Sequence, residues 1–220
     1  MKTIILMTVF AFLPFQSFAQ TSPVPTLFFS YSWLYDSMCA NTPERKIEDS
    51  WVAEARTKVP EFTATWNQFG PTLFGKVFEI FGFGFSRKEM TATLSVCPVP
   101  SYSDPLVLNV TRYLKSYMGE KPVAPPEAFA DLVFHELLHT WVVEHTDWPT
   151  AMIQKYQQEQ QVTRNHLHLM AVQKLVYQKL NNEDMLKRIE EQYNRNPGYK
   201  RAWEIVALEG TEAFTAEFVK

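Results

Sequence analysis

Pro125-Pro-Glu-Ala-Phe-Ala-Asp-Leu-Val-Phe-His-Glu-Leu-Leu-His-Thr-Trp-Val-Val-Glu-His145 is the stretch on which the reading of this chain turns. It reads as a helix that is apolar nearly all round: Phe129, Val133, Phe134, Leu137, Leu138, Trp141 and Val142 leave only a narrow polar arc. A helix with that pattern is buried rather than solvated. Asp131, His135, Glu136 and His139 lie in or beside the arc, and burying such groups is costly unless they are paired or bound to a metal. At about 3.6 residues per turn, His135 and His139 stand one turn apart and project on one face. Two imidazoles so placed can chelate one Zn²⁺, while Glu136, roughly 60° further round than His139, can reach a water beside the ion.

His135-Glu136-Leu-Leu-His139 is an H-E-x-x-H motif. In a chain of this composition it arises by accident with a probability on the order of one in a hundred, so the apolar helix around it carries much of the argument. Here the sequence resembles the zincin metallopeptidases, whose active-site helix bears this motif. The resemblance covers this helix and at most the next one. It implies Zn²⁺ as cofactor, His135 and His139 as ligands, Glu136 as general base, and a peptide or protein as substrate.

A catalytic zinc site takes three protein ligands and a water. All five histidines fall between His135 and His168, so candidates are few. His145 occupies the place of the third histidine in metzincins, but Val142 stands where those proteins need glycine. Glu159 follows His139 at a spacing that gluzincins use, although Thr163 stands where their signature has Asp. An antiparallel helix hairpin broken near Asp147 would put residues 155 to 159 level with the two histidines. Glu159 is therefore the expected third ligand, with His166 and then His145 as alternatives. His166 is also a candidate hydrogen-bond donor to the transition state. His168 lies about 180° from the face that Glu159 and His166 share. Glu209 and Glu212 are remote candidates and read as surface charges.

The ends and composition bound the rest. Met1-Lys2, an apolar run from Ile4 to Phe15 and Ser17-Phe18-Ala19 together read as a secretory signal peptide. Cleavage after Ala19 leaves residues 20–220 as one domain, secreted or periplasmic, with no transmembrane segment. The formal net charge of −3, with no basic cluster, argues against nucleic acid as a partner. In an oxidising compartment Cys39 and Cys97 could pair, if the fold brings them together. Asn109-Val-Thr111 is a glycosylation sequon.

Along the chain, Thr42-Pro43 offers a helix start and Pro60 a stop. Phe62, Trp66, Phe69, Leu73, Phe74, Val77, Phe78 and Phe81 have helical spacing, interrupted at Gly70-Pro71, which predicts two helices or one kinked helix. Met90–Val96 alternates as a strand, Leu106–Val110 is a second, and the loop between them permits an antiparallel pair. Leu106–Val110 is the candidate edge strand beside a cleft. One helix is expected from Pro149 to about Leu180, and further helices follow. The expected fold is mainly α with a small antiparallel β-sheet (α+β): a zincin-like helix followed by a long antiparallel helix. The expected function is a zinc-dependent hydrolase, a metallopeptidase. Two alternatives stand beside it: a non-catalytic zinc- or ligand-binding protein that works through its Phe-rich helices, and an H-E-x-x-H hydrolase acting on a non-peptide amide.

Overall fold

The helix that carries the motif is covered on both sides, and the other elements are placed by how they cover it. The computed structural model describes residues 24–40 and 46–219. In chain order these form β1 (Thr26–Tyr31), α1 (Trp33–Ala40), α2 (Asp49–Thr57), α3 (Val59–Phe81), β2 (Glu89–Ser95), β3 (Tyr102–Ser103) and β4 (Leu106–Asn109). A 3₁₀ turn at Thr111–Tyr113 leads into α4 (Lys115–Met118) and the motif helix α5 (Pro126–Glu144). Then come α6 (Ala151–Lys155), α7 (Gln161–Lys179), α8 (Glu183–Tyr193), α9 (Pro197–Glu209) and α10 (Thr211–Thr215). The signal segment and the Thr42-Pro43 helix start lie outside the described residues.

α5 starts with Pro126 in its first turn, where a missing N–H costs nothing. Twelve of its residues are buried, from Ala128 to Val142, including Asp131, His135 and Glu136. α3 covers one side. Its stripe of Phe62, Trp66, Leu73, Phe74 and Val77 is buried. Phe62 meets Phe129 with ring centroids 4.5 Å apart, and Phe74 meets Phe134 edge-on at 5.0 Å. Burying each such ring contributes about 1.5–3 kcal/mol. Gly70-Pro71 breaks the pattern in sequence but not in space, because α3 runs as one helix across Pro71. A Cβ on Gly70 would stand 2.5 Å from Trp66 Cε2, so this glycine makes room for an indole. α3 closes at Gly82, whose φ of 78° is the left-handed conformation glycine adopts freely.

α7 covers the other side. Gln173 and Tyr177 reach Asp131 near the start of α5, at 2.7 and 2.8 Å, while His166 sits beside His139 near its end. The two helices therefore run antiparallel. The single helix expected from Pro149 to Leu180 is in fact two. Thr150 caps α6 by accepting from the Ile153 N–H, α6 stops at Lys155, and a turn through Glu159 precedes α7.

The sheet has the order β1-β2-β4-β3 and is mixed, not purely antiparallel. β1 and β4 both pair parallel with β2, and only β3 pairs antiparallel with β4. The expected antiparallel pairing fails because the chain reverses twice after β2, once before β3 and once at the Asp104-Pro105 turn. β4 is consequently an interior strand, and Leu106, Val107 and Leu108 are buried. The edge is β3. Cys39 and Cys97 form a disulfide that joins α1 to the end of β2 and fits an oxidising compartment. The sequon Asn109 uses its own amide nitrogen internally, donating to the Cys97 and Val99 carbonyls at 2.9 and 2.7 Å. Among the described residues no helix is long and apolar enough to cross a membrane.

Candidate metal centre

Three imidazoles converge where α5 and α7 cross. One turn of α5 sets His135 and His139 on the face towards α7, and α7 returns His166 against them. One ring nitrogen from each lies within 4.8 Å of the other two. Ring centroids are 5.1 Å apart for His135–His139, 5.2 Å for His135–His166 and 4.6 Å for His139–His166. The group is thus able to hold a metal ion. Tetrahedral coordination at about 2.0–2.1 Å needs nitrogens roughly 3.4 Å apart, a closing-in within reach of side-chain torsions.

The protons on these rings are placed for ligation. His166 Nδ1 lies 2.6 Å from the Val162 carbonyl, which can only accept, so Nδ1 carries the hydrogen. Its Nε2 is then a bare lone pair, buried and without a hydrogen-bond partner. An orphaned buried acceptor is costly unless something absent from the protein chain satisfies it. His135 Nδ1 meets the Tyr193 hydroxyl at 2.8 Å, leaving Nε2 for the cluster. All three rings are held neutral. Burial, with the charges of His139 and His166, pushes His135 well below the ordinary histidine range. Burial and His166 push His139 down to about 3, and burial takes His166 down to about 4. Metal binding requires neutral imidazoles of this kind.

Glu136 faces the same space. Burial raises its carboxyl to about 8, where a carboxylate without a nearby cation is disfavoured. It lines a hollow of about 270 Å³ together with Ser101–Asp104, His139, Asn165, His166 and Tyr199. A second hollow of about 560 Å³ shares Ser103, Asp104, His139 and Asn165 and adds Arg87, Thr140, Val142, Val143, Glu144 and Trp148. The two form one cleft along the edge strand β3, with His139 lining both parts and His166 the smaller one. Tyr199, half-buried, packs its ring 4.2 Å from that of His166. Burial and the charge of Glu136 raise its phenol, so the hydroxyl keeps its proton at neutral pH.

The other expected residues lie elsewhere. Glu159 is not in the group. Its Oε1 accepts from Arg201 Nε and Nη2 at 2.9 and 2.8 Å, which ties it to α9. It was expected there by counting along an unbroken returning helix. The residues spent on α6 and the following turn slide α7 so that His166 arrives at the histidine pair instead. His166 therefore stands where a third ligand was expected, and Tyr199 lies beside it in the same hollow. His145 turns away: its Nε2 contacts the Gly84 carbonyl at 2.8 Å and its ring packs on Phe83 and Trp141. His168 Nε2 pairs with Glu217 at 2.7 Å on the far side of α7. Glu209 binds Lys155 and Tyr156, and Glu212 is exposed.

Tyr193, Tyr199, Asn165 and Gln173 are site residues that sequence reasoning missed. A signal existed for Gln173 and Tyr177, which continue the polar stripe of His166 at i+7 and i+11 on α7. Tyr193 and Tyr199 come from the ends of α8 and α9, with no local pattern to mark them. No family model, no curated protein and no solved structure matches this chain.

Proposed function

We infer that this protein is a zinc-dependent hydrolase that cleaves amide bonds in peptides, exported after loss of its N-terminal signal. The observation that carries the reading is the convergence of His135, His139 and His166, each neutral, with the buried carboxyl of Glu136 lining the same open hollow as His139 and His166. Three imidazoles without a carboxylate suit zinc and other imidazole-seeking transition metals better than Mg²⁺ or Ca²⁺. The unpartnered Nε2 of His166 supports a resident ion at that spot. The free edge of β3 supports an extended peptide as substrate, since its unpaired main chain can hydrogen-bond a strand laid beside it.

A zinc held by His135, His139 and His166 would supply Lewis acidity, lowering the pKa of water to about 7. Glu136 does the proton work: its carboxylate takes the proton of the attacking water and returns it to the leaving amine. Beside a bound cation Glu136 would be ionised, a state that burial alone opposes. Tyr199, protonated at working pH, donates its hydroxyl hydrogen to the oxyanion that develops on the substrate. The apolar side of the cleft, with Val142, Val143 and Trp148, sheds water from the bound substrate.

The test is Glu136→Gln, assayed on a mixed library of fluorogenic peptides. Turnover falls by about 10²-fold or more while zinc content stays at the wild-type level. Undiminished cleavage would sink the mechanism. Zinc retained by both proteins, with no turnover by either of peptide or simple amide, would favour a binding protein.

A further inference from the structure

We propose that Asp131, Gln173 and Tyr193 form a one-way hydrogen-bond chain that fixes His135 in its metal-binding tautomer. This proposal rests on the metal-binding reading above, and it assigns these three residues a positioning role that the motif does not contain.

The chain is buried throughout: Asp131 and His135 are nearly closed to solvent, Tyr193 more so, and Gln173 is 0% exposed. Its direction follows from donor and acceptor chemistry. An ionised carboxylate only accepts. Asp131 Oδ1 receives Gln173 Nε2 at 2.7 Å and the Tyr177 hydroxyl at 2.8 Å. Turning the Gln173 amide over would set its oxygen against that carboxylate oxygen, two acceptors in contact, so the orientation is not free. Gln173 Oε1 must then face Tyr193, and it accepts the Tyr193 hydroxyl hydrogen at 2.5 Å. A phenol has one hydrogen, so towards His135 Tyr193 offers only a lone pair. His135 Nδ1, 2.8 Å away, is therefore the N–H donor, and its Nε2 is the bare nitrogen. Gln173 Oε1, oriented by Asp131, also lies within hydrogen-bonding reach of the His135 ring, so both neighbours of Nδ1 are acceptors.

Arg112 and Arg188 lie close enough for their charge to oppose the rise that burial imposes on the Asp131 carboxyl, which stands at about 6. Above that pH the acceptor end of the chain is ionised. Hydrogen bonds behind a metal-bound histidine commonly change metal affinity by about 10–100-fold.

The discriminating variant is Gln173→Met, which has similar length and no acceptor for either the Tyr193 hydroxyl or the His135 N–H. Without Oε1, the Tyr193 hydroxyl hydrogen turns to the nearest remaining acceptor, His135 Nδ1, and the imidazole proton moves to Nε2. The measurement is two-bond ¹H–¹⁵N correlation on histidine-labelled, metal-free full-length protein at pH 8. Wild type shows His135 protonated at Nδ1, and Gln173→Met shows it protonated at Nε2. Asp131→Asn keeps an acceptor oxygen for Gln173 and Tyr177 and retains the wild-type tautomer. Should Gln173→Met not fold, Gln173→Leu removes the same acceptor and gives the same move to Nε2. Zinc affinity, read by competition with a chromophoric chelator, falls about 10–100-fold in the variants that move the proton. A His135 that keeps Nδ1–H in the folded Gln173 variant, or that carries Nε2–H in wild type, overturns the proposal. The tautomer result stands or falls without metal: a proton that moves in a protein unable to bind zinc refutes the metal reading and leaves the chain intact.

Discussion

Replacing Glu136 by Gln has a consequence for stability that is separate from any effect on turnover. In the metal-free protein burial lifts the Glu136 carboxyl from its ordinary 4.5 to about 8. Below pH 4.5 the group is protonated folded and unfolded, and a neutral glutamine of equal size changes little. Between 4.5 and 8 the unfolded chain ionises while the folded one stays protonated, so unfolding releases a proton and stability falls as pH rises. The loss runs at about 1.4 kcal/mol per pH unit. Above 8 both forms are ionised and the loss levels off at roughly 5 kcal/mol, a large fraction of the 5–15 kcal/mol that holds a typical domain together. The three histidines titrate alike in both proteins and drop out of the difference. Metal-free Glu136→Gln is therefore expected to match wild type near pH 4.5 and to exceed it progressively up to pH 8. Urea unfolding in the presence of chelator, at five pH values from 5 to 9, measures the gap. Zinc should narrow it at high pH, because the cation offsets the buried negative charge. A gap that does not depend on pH would refute the claim that Glu136 is desolvated in the folded protein.

Two further predictions concern the disulfide and the donor. Replacing Cys39 and Cys97 together by alanine should cost about 2–4 kcal/mol of stability, read as a lower denaturant midpoint, since the bond closes a loop of 58 residues. Tyr199→Phe should lower kcat/KM by on the order of 10²-fold, the usual cost of one oxyanion donor, with zinc content unchanged; loss of zinc instead would place Tyr199 with the ligands.

How much of this was legible beforehand depends on how local each signal is. α5 was readable because its apolar surround and its i, i+4 histidines occupy one continuous segment. The pair Cys39–Cys97 could be named but not joined, since pairing depends on where β2 ends relative to α1. His166 was visible as a residue and misplaced by geometry. The count assumed one returning helix, although Gln157-Gln158-Glu159-Gln160-Gln161 has no apolar periodicity and in fact contains the turn. In the sheet, Leu106-Val107-Leu108 is an unbroken apolar run, the mark of a strand covered on both faces, so it was the wrong candidate for an edge. The true edge, Tyr102–Ser103, is too short to show alternation. Tyr193 and Tyr199 reach the histidines only through the packing of α8 and α9 on α7. That is tertiary information, with no counterpart in local pattern.

The claim on which the rest depends is that His135, His139 and His166 hold one metal ion, and metal content of the purified protein tests it directly. Wild type, His166→Ala and Glu159→Ala, expressed with zinc and dialysed identically, are compared by elemental analysis. The geometry predicts close to one zinc per chain in wild type and in Glu159→Ala, whose carboxylate is occupied by Arg201. It predicts substoichiometric zinc in His166→Ala. Zinc retained by His166→Ala and lost from Glu159→Ala, or none bound by wild type, would contradict it.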